Sequence, residues 1–102
     1  YRAALGSYNT AIRYKPDDYW AWYRRGDAMQ YLGWYEDAIK SYDKALDIDP
    51  KAASAWYGKA CCYLRLGRVD RAIESLETAI AIAPNRYQEL AKTNPDFKRL
   101  RS

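Results

Sequence analysis

The chain carries 13 acidic residues, 17 basic residues and two cysteines, but no histidine. Without histidine, the commonest general base and the commonest metal ligand are missing. Cys61 and Cys62 are adjacent. That spacing suits neither a metal centre nor an unstrained disulfide. Lys59 and Arg65 are the only nearby bases along the same stretch, so a catalytic thiol is not expected. Asp17 and Asp18 precede an apolar-periodic segment, where carboxylates complement free backbone donors. Asp47 and Asp49 lie just before Pro50 and read as residues of a helix end. No glycine-rich phosphate loop is present. The expectation is a protein that is not an enzyme and has no metal or cofactor. Two reduced, packed thiols fit a reducing compartment, and the cytoplasm is the expected location.

What remains is the chemistry of surfaces. Eleven tyrosines and four tryptophans supply much of the 49% hydrophobic content, yet mean hydropathy is only −0.66. Such side chains are wide and amphipathic. No run approaches the roughly 18–20 apolar residues of a membrane span, so no membrane partner is expected. At 102 residues the chain is one domain or a piece of one. Its net charge of +4 admits nucleic acid, since tyrosine and arginine can stack on bases. No basic run is concentrated enough for a strong phosphate surface. An RNA-binding helical repeat is therefore an alternative and not the first reading.

The elements that position these aromatics follow a period of 34 residues. Pro16, Pro50 and Pro84 recur at that interval, as do Ala4, Ala38 and Ala72, and Ala11, Ala45 and Ala79. Trp22 pairs with Trp56, Tyr23 with Tyr57, and Gly33 with Gly67. Each period predicts two helices. The first runs over 18–32 and stops at Gly33, as helices stop at glycine. The second runs over 35–48, with Tyr35, Ala38, Ile39, Tyr42, Ala45 and Leu46 at helical spacing. Residues 52–66 and 69–82 repeat the pattern. Short loops require antiparallel neighbours. Gly26, Ala60 and the alanines of the second helices predict close backbone approach, with Trp22 and Trp56 filling the space above them.

Trp22, Gly26, Gly33, Tyr35, Ala38, Tyr42, Ala45 and Pro50 resemble the signature of the tetratricopeptide repeat family. Trp56, Ala60, Tyr63, Gly67, Ala72, Leu76, Ala79 and Pro84 resemble it again. Arg25 and Lys59 depart from its leucine, and Leu76 from its aromatic residue. The resemblance implies an all-α, right-handed superhelical array of antiparallel helix pairs, with about six to seven helices. The expected organisation is the second helix of a truncated repeat over 1–16 and complete repeats over 17–50 and 51–84. A capping helix over 85–102, broken near Pro95, would follow. Ala4, Leu5, Tyr8, Ala11 and Ile12 describe a face expected to be open and available for self-association.

In this family the first helix of each pair lines a concave surface, which suits a protein or peptide partner. Carried onto this chain, that face holds Trp20, Tyr23, Asp27 and Tyr31 with Arg24 beside them. It continues through Tyr57, Cys61 and Arg65 to Lys92. Residues 51–68 carry Lys51, Lys59, Arg65 and Arg68 with no acid, so the trough is expected to be mildly basic and its partner acidic. One subset of the family clamps chaperone carboxylates with Lys, Asn and Arg. The corresponding places here hold Tyr23, Asp27, Gly58, Gln88 and Lys92, and only Lys92 suits that role. The resemblance leaves a further alternative: a substrate-presenting region of a larger enzyme, such as a protein glycosyltransferase.

Overall fold

The computed structural model describes residues 2–93, with side chains over 5–89. Six helices follow one another among the described residues: α1 (Arg2–Tyr14), α2 (Tyr19–Tyr31), α3 (Tyr35–Ile48), α4 (Ala53–Arg65), α5 (Val69–Ile82) and α6 (Pro84–Thr93). Each packs on the next, and α2 also touches α4. The described chain is an elongated α-solenoid with principal extents of 44 × 25 × 19 Å.

Local chemistry fixes the helix ends. Asp18 caps α2 by accepting the Trp20 amide at 3.0 Å, which satisfies a donor the helix cannot pair internally. Gly33 and Gly67 adopt φ of +82° and +77°, a conformation costly for a residue with a Cβ. Their turns match hydrogen bond for hydrogen bond. The Trp34 amide donates to Met29 O at 2.9 Å and the Gly33 amide to Gln30 O at 3.0 Å. The Arg68 amide donates to Tyr63 O at 2.8 Å and the Gly67 amide to Leu64 O at 3.1 Å. This double closure reverses the chain within two residues. Helix α6 begins at Pro84 itself, where a missing amide hydrogen costs nothing. The helix break expected near Pro95 lies outside the described residues.

The alanine ladder forms the core. Ala38, Ala45, Ala55, Ala60, Ala72 and Ala79 are fully buried. The large side chain among them is Tyr42, also fully buried. It occupies the gap that the sequence assigned to tryptophan. Trp22 and Trp56 are instead half-buried against the edge of the core. Their indole N–H groups donate to Pro16 O at 2.8 Å and Pro50 O at 3.1 Å. Each tryptophan thus ties a first helix to the loop before it, because a half-buried indole must satisfy its donor.

The face of α1 expected to stand open is partly covered. Leu5 is buried and Tyr8 packs on the main core, because α2 lies against this side of α1. Ala11 is exposed, whereas its register mates Ala45 and Ala79 are fully buried.

Candidate functional site

Four-residue spacing places Tyr23, Asp27 and Tyr31 in one stripe on α2, and Tyr57, Cys61 and Arg65 in one stripe on α4. The stripes are register mates, one period apart. Between them lies a pocket of about 500 Å³, lined by all six residues. Gln30, Tyr35, Ser54 and Gly58 complete its described wall. Trp20 and Arg24 stand outside it, on the rim. Trp20 is 58% exposed, and the Arg24 guanidinium lies 5.3 Å from its ring and 5.9 Å from that of Tyr23. Lys92 lies on α6, but its side chain falls outside the described residues.

The floor is built on Tyr42. Its ring passes beneath α2 and α4 where both helices have glycine. A Cβ at Gly26 would meet the ring at 2.8 Å, and one at Gly58 would meet Tyr42 Cζ at 2.6 Å. The Tyr42 hydroxyl then reaches Asp27 Oδ1 at 2.5 Å and lies 3.0 Å from Gln30 Oε1. Burial raises the Asp27 carboxyl above its ordinary range, opposed by the Tyr42 hydrogen bond and the field of Arg24. Burial and the Asp27 charge raise the Tyr42 phenol strongly in turn.

Tyrosines knit the three first helices together. Tyr23 stacks on Tyr19 at 5.7 Å and leans on Tyr42 at 5.9 Å. Burial raises the Tyr23 phenol, an effect that neighbouring Ser54 opposes, and Ser54 Oγ lies 3.0 Å from the Tyr87 hydroxyl. Tyr87 is buried and meets Tyr57 at 5.3 Å. Burial, reinforced by Tyr23, raises the Tyr19 phenol to about 12. The wall is therefore held by contacts among its own side chains, with Tyr31 (72% exposed) projecting at one end.

Not all the bases of residues 51–68 reach the trough. Lys59 points away from the pocket, pairing with Asp43 at 2.6 Å and lying over Trp56 at 4.8 Å. Arg68 pairs with Glu36 at 3.0 Å outside the groove. Arg65 is the one base among the described lining residues, and Asp27 the one acid. Counting charge along a helix ignored its faces, which separate Lys59 from Tyr57 and Cys61.

Tyr35, Tyr42 and Tyr87 are the site residues that sequence reasoning missed. The first two were assigned to the core face of α3 alone. Tyr87 is the register mate of Tyr19 two periods on, so the signal was present. Among the described residues no cluster of His, Cys, Asp or Glu could hold a metal. No described helix is long and apolar enough to cross a membrane.

Paired antiparallel helices, glycine-closed turns and an aromatic inner wall define a helical-repeat solenoid. Two tetratricopeptide repeat family models match, over residues 31–94 and 7–40. The chain belongs to the tetratricopeptide repeat family. No curated protein matches its sequence significantly. Among solved structures it resembles YrrB, described as a TPR protein with an unusual peptide-binding site. That match has a TM-score of 0.83 at 24% identity, over 89% of this chain and 48% of YrrB. It also resembles the type III secretion translocator chaperone SycD of Yersinia enterocolitica, with 26% identity and a TM-score of 0.76 over 98% of this chain and 70% of SycD. SycD in complex with a peptide of the translocator YopD matches with a TM-score of 0.87 at 21% identity, over 98% of this chain and 79% of that one. The chain thus spans about half the length of YrrB.

Proposed function

We propose that this chain is a protein-interaction scaffold that binds a partner segment in the groove between α2, α4 and α6, and that it binds without catalysing. The observation that carries this reading is the pocket wall itself. Six of the nine residues expected from the sequence converge on one cavity of about 500 Å³, braced by Tyr42 beneath Asp27 and by the Ser54–Tyr87 contact. A wall already fixed by these contacts loses little freedom on binding, which favours affinity. Aromatic side chains offer wide contact area at low entropic cost. The SycD complex with a YopD peptide is consistent with peptide capture on this fold.

Arg24 and Arg65, at the rim and on the α4 wall, suit acidic residues flanking the bound segment. The organisation we adopt is a half repeat over 1–16, repeats over 17–50 and 51–84, and a cap over 85–102, acting in the reducing cytoplasm.

The test uses a peptide selected against the chain from a display library. Tyr23→Ala combined with Tyr57→Ala should weaken its binding by about tenfold or more, or roughly 1.4 kcal/mol. The helical circular-dichroism signal should persist. Unchanged affinity in the double variant removes the groove from the account.

A further inference from the structure

The rim and the floor of the groove differ in charge. The rim carries Arg24, already placed over Trp20 and Tyr23. The floor carries Asp27, held by the Tyr42 hydroxyl at 2.5 Å. We propose that the floor receives one cationic side chain, lysine or arginine, from the partner protein, with Asp27 as its counter-ion and the surrounding tyrosine rings as its walls. The proposal rests on the groove being the binding surface.

Three observations support it. First, Asp27 is the one acid among the described lining residues, and its described hydrogen bond comes from a neutral phenol. A half-buried carboxylate with one neutral donor, helped otherwise by the field of Arg24 at the rim, is incompletely compensated. Its raised ionisation range, caused mainly by burial, expresses that deficit. A cation entering the pocket would supply the missing charge. Second, Tyr23, Tyr31, Tyr35 and Tyr57 surround the same cavity. Aromatic faces attract ammonium and guanidinium groups, more strongly where water is excluded. Third, the acid is fixed in place. Gly26 and Gly58 admit the Tyr42 ring, and the ring carries the hydroxyl that holds Asp27. A side chain at either glycine would displace the support of the carboxylate. Arg65 stands at the exposed end of α4, in register with Tyr31 and one turn beyond the Asp27–Cys61 level.

A charge on the floor is screened less by salt than one on the rim. The floor therefore selects which residue anchors, while the rim arginines act on the residues beside it.

The probes are acetylated, amidated pentapeptides with two alanines on each side of a central lysine, arginine, norleucine or glutamate. Binding is followed by amide chemical-shift titration of the isotopically labelled chain. The lysine and arginine peptides should bind about tenfold or more tighter than the norleucine and glutamate peptides. Their shifts should centre on Asp27, Gln30 and Tyr57. Asp27→Asn keeps an oxygen for the Tyr42 hydroxyl and removes the charge at nearly the same shape, so it should keep the wild-type fold. It should bring the lysine peptide down to the norleucine level. Equal groove binding by all four peptides overturns the proposal and leaves the groove standing. Lysine binding that survives Asp27→Asn overturns it as well. Shifts lying outside the groove for every peptide, or no shifts at all, bring down both the proposal and the groove reading. Should Asp27→Asn fail to fold, the comparison of lysine with norleucine on the wild-type chain decides alone.

Discussion

The pairs α2–α3 and α4–α5 are built on one 34-residue template, yet their interiors differ. Tyr42 on α3 is fully buried, while its register mate Leu76 on α5 is only half-buried. Ile39 is 7% exposed, and its mate Ile73 is 36% exposed. The cause is the next element in the stack. Helix α3 makes a larger contact with α4 than the described part of α6 makes with α5. A repeat of this kind borrows burial from its neighbours. Equal sequence positions therefore differ in energetic weight along the stack.

The largest break in this comparison should come at Tyr42. Tyr42→Ala empties the space under both glycines and should cost about 3–5 kcal/mol. Leu76→Ala, at a half-buried position, should cost less than half as much. Urea denaturation of the two variants checks the ratio, and equal losses would mean that the two interiors are equivalent. Next comes Gly58→Ala, which drives a methyl group into the Tyr42 ring and should cost about 1–3 kcal/mol. Gly6 has nothing within 4 Å of a Cβ, so Gly6→Ala should be neutral or stabilise α1 by about 0.5–1 kcal/mol.

The turns should behave alike where the interiors do not. Gly33→Ala and Gly67→Ala each force a Cβ into a left-handed conformation and should each cost about 1–2 kcal/mol. Thermal melts that separate the two would show that the turns are not equivalent. The smallest effect is chemical. Burial pushes the Cys62 thiol up to about 12, while Cys61 is half-exposed in the groove wall. One thiol per chain should react promptly with a disulfide reagent at pH 8, and the second only on unfolding. Cys61→Ser should abolish the prompt phase.

The sequence made the repeat legible because period, glycine stops and prolines are local signals. The helices expected over 35–48 and 69–82 stand at those bounds, and those expected over 18–32 and 52–66 are each one residue shorter at both ends. Six residues of the pocket were also readable, since four-residue spacing on two register-matched helices fixes a face. Tyr42 was harder to place. Its role depends on Gly58, which belongs to the following repeat and is not the period mate of Gly26. Only the stacking of α2, α3 and α4 brings those three residues together. The placement of the bases of residues 51–68 was hard to read for a related reason. Lys59 and Arg68 find their acids, Asp43 and Glu36, on the preceding second helix, and linear counting along one helix cannot see such pairs.

Whether the concave wall is the binding surface is settled most directly by mapping one display-selected peptide onto the isotopically labelled chain by amide chemical shifts. The account predicts perturbations concentrated on Tyr23, Asp27, Gln30, Tyr57 and Cys61, with those of Glu74, Glu77 and Thr78 on the α5 side unmoved. A peptide whose shifts gather on α5 and leave the tyrosine groove untouched would contradict it.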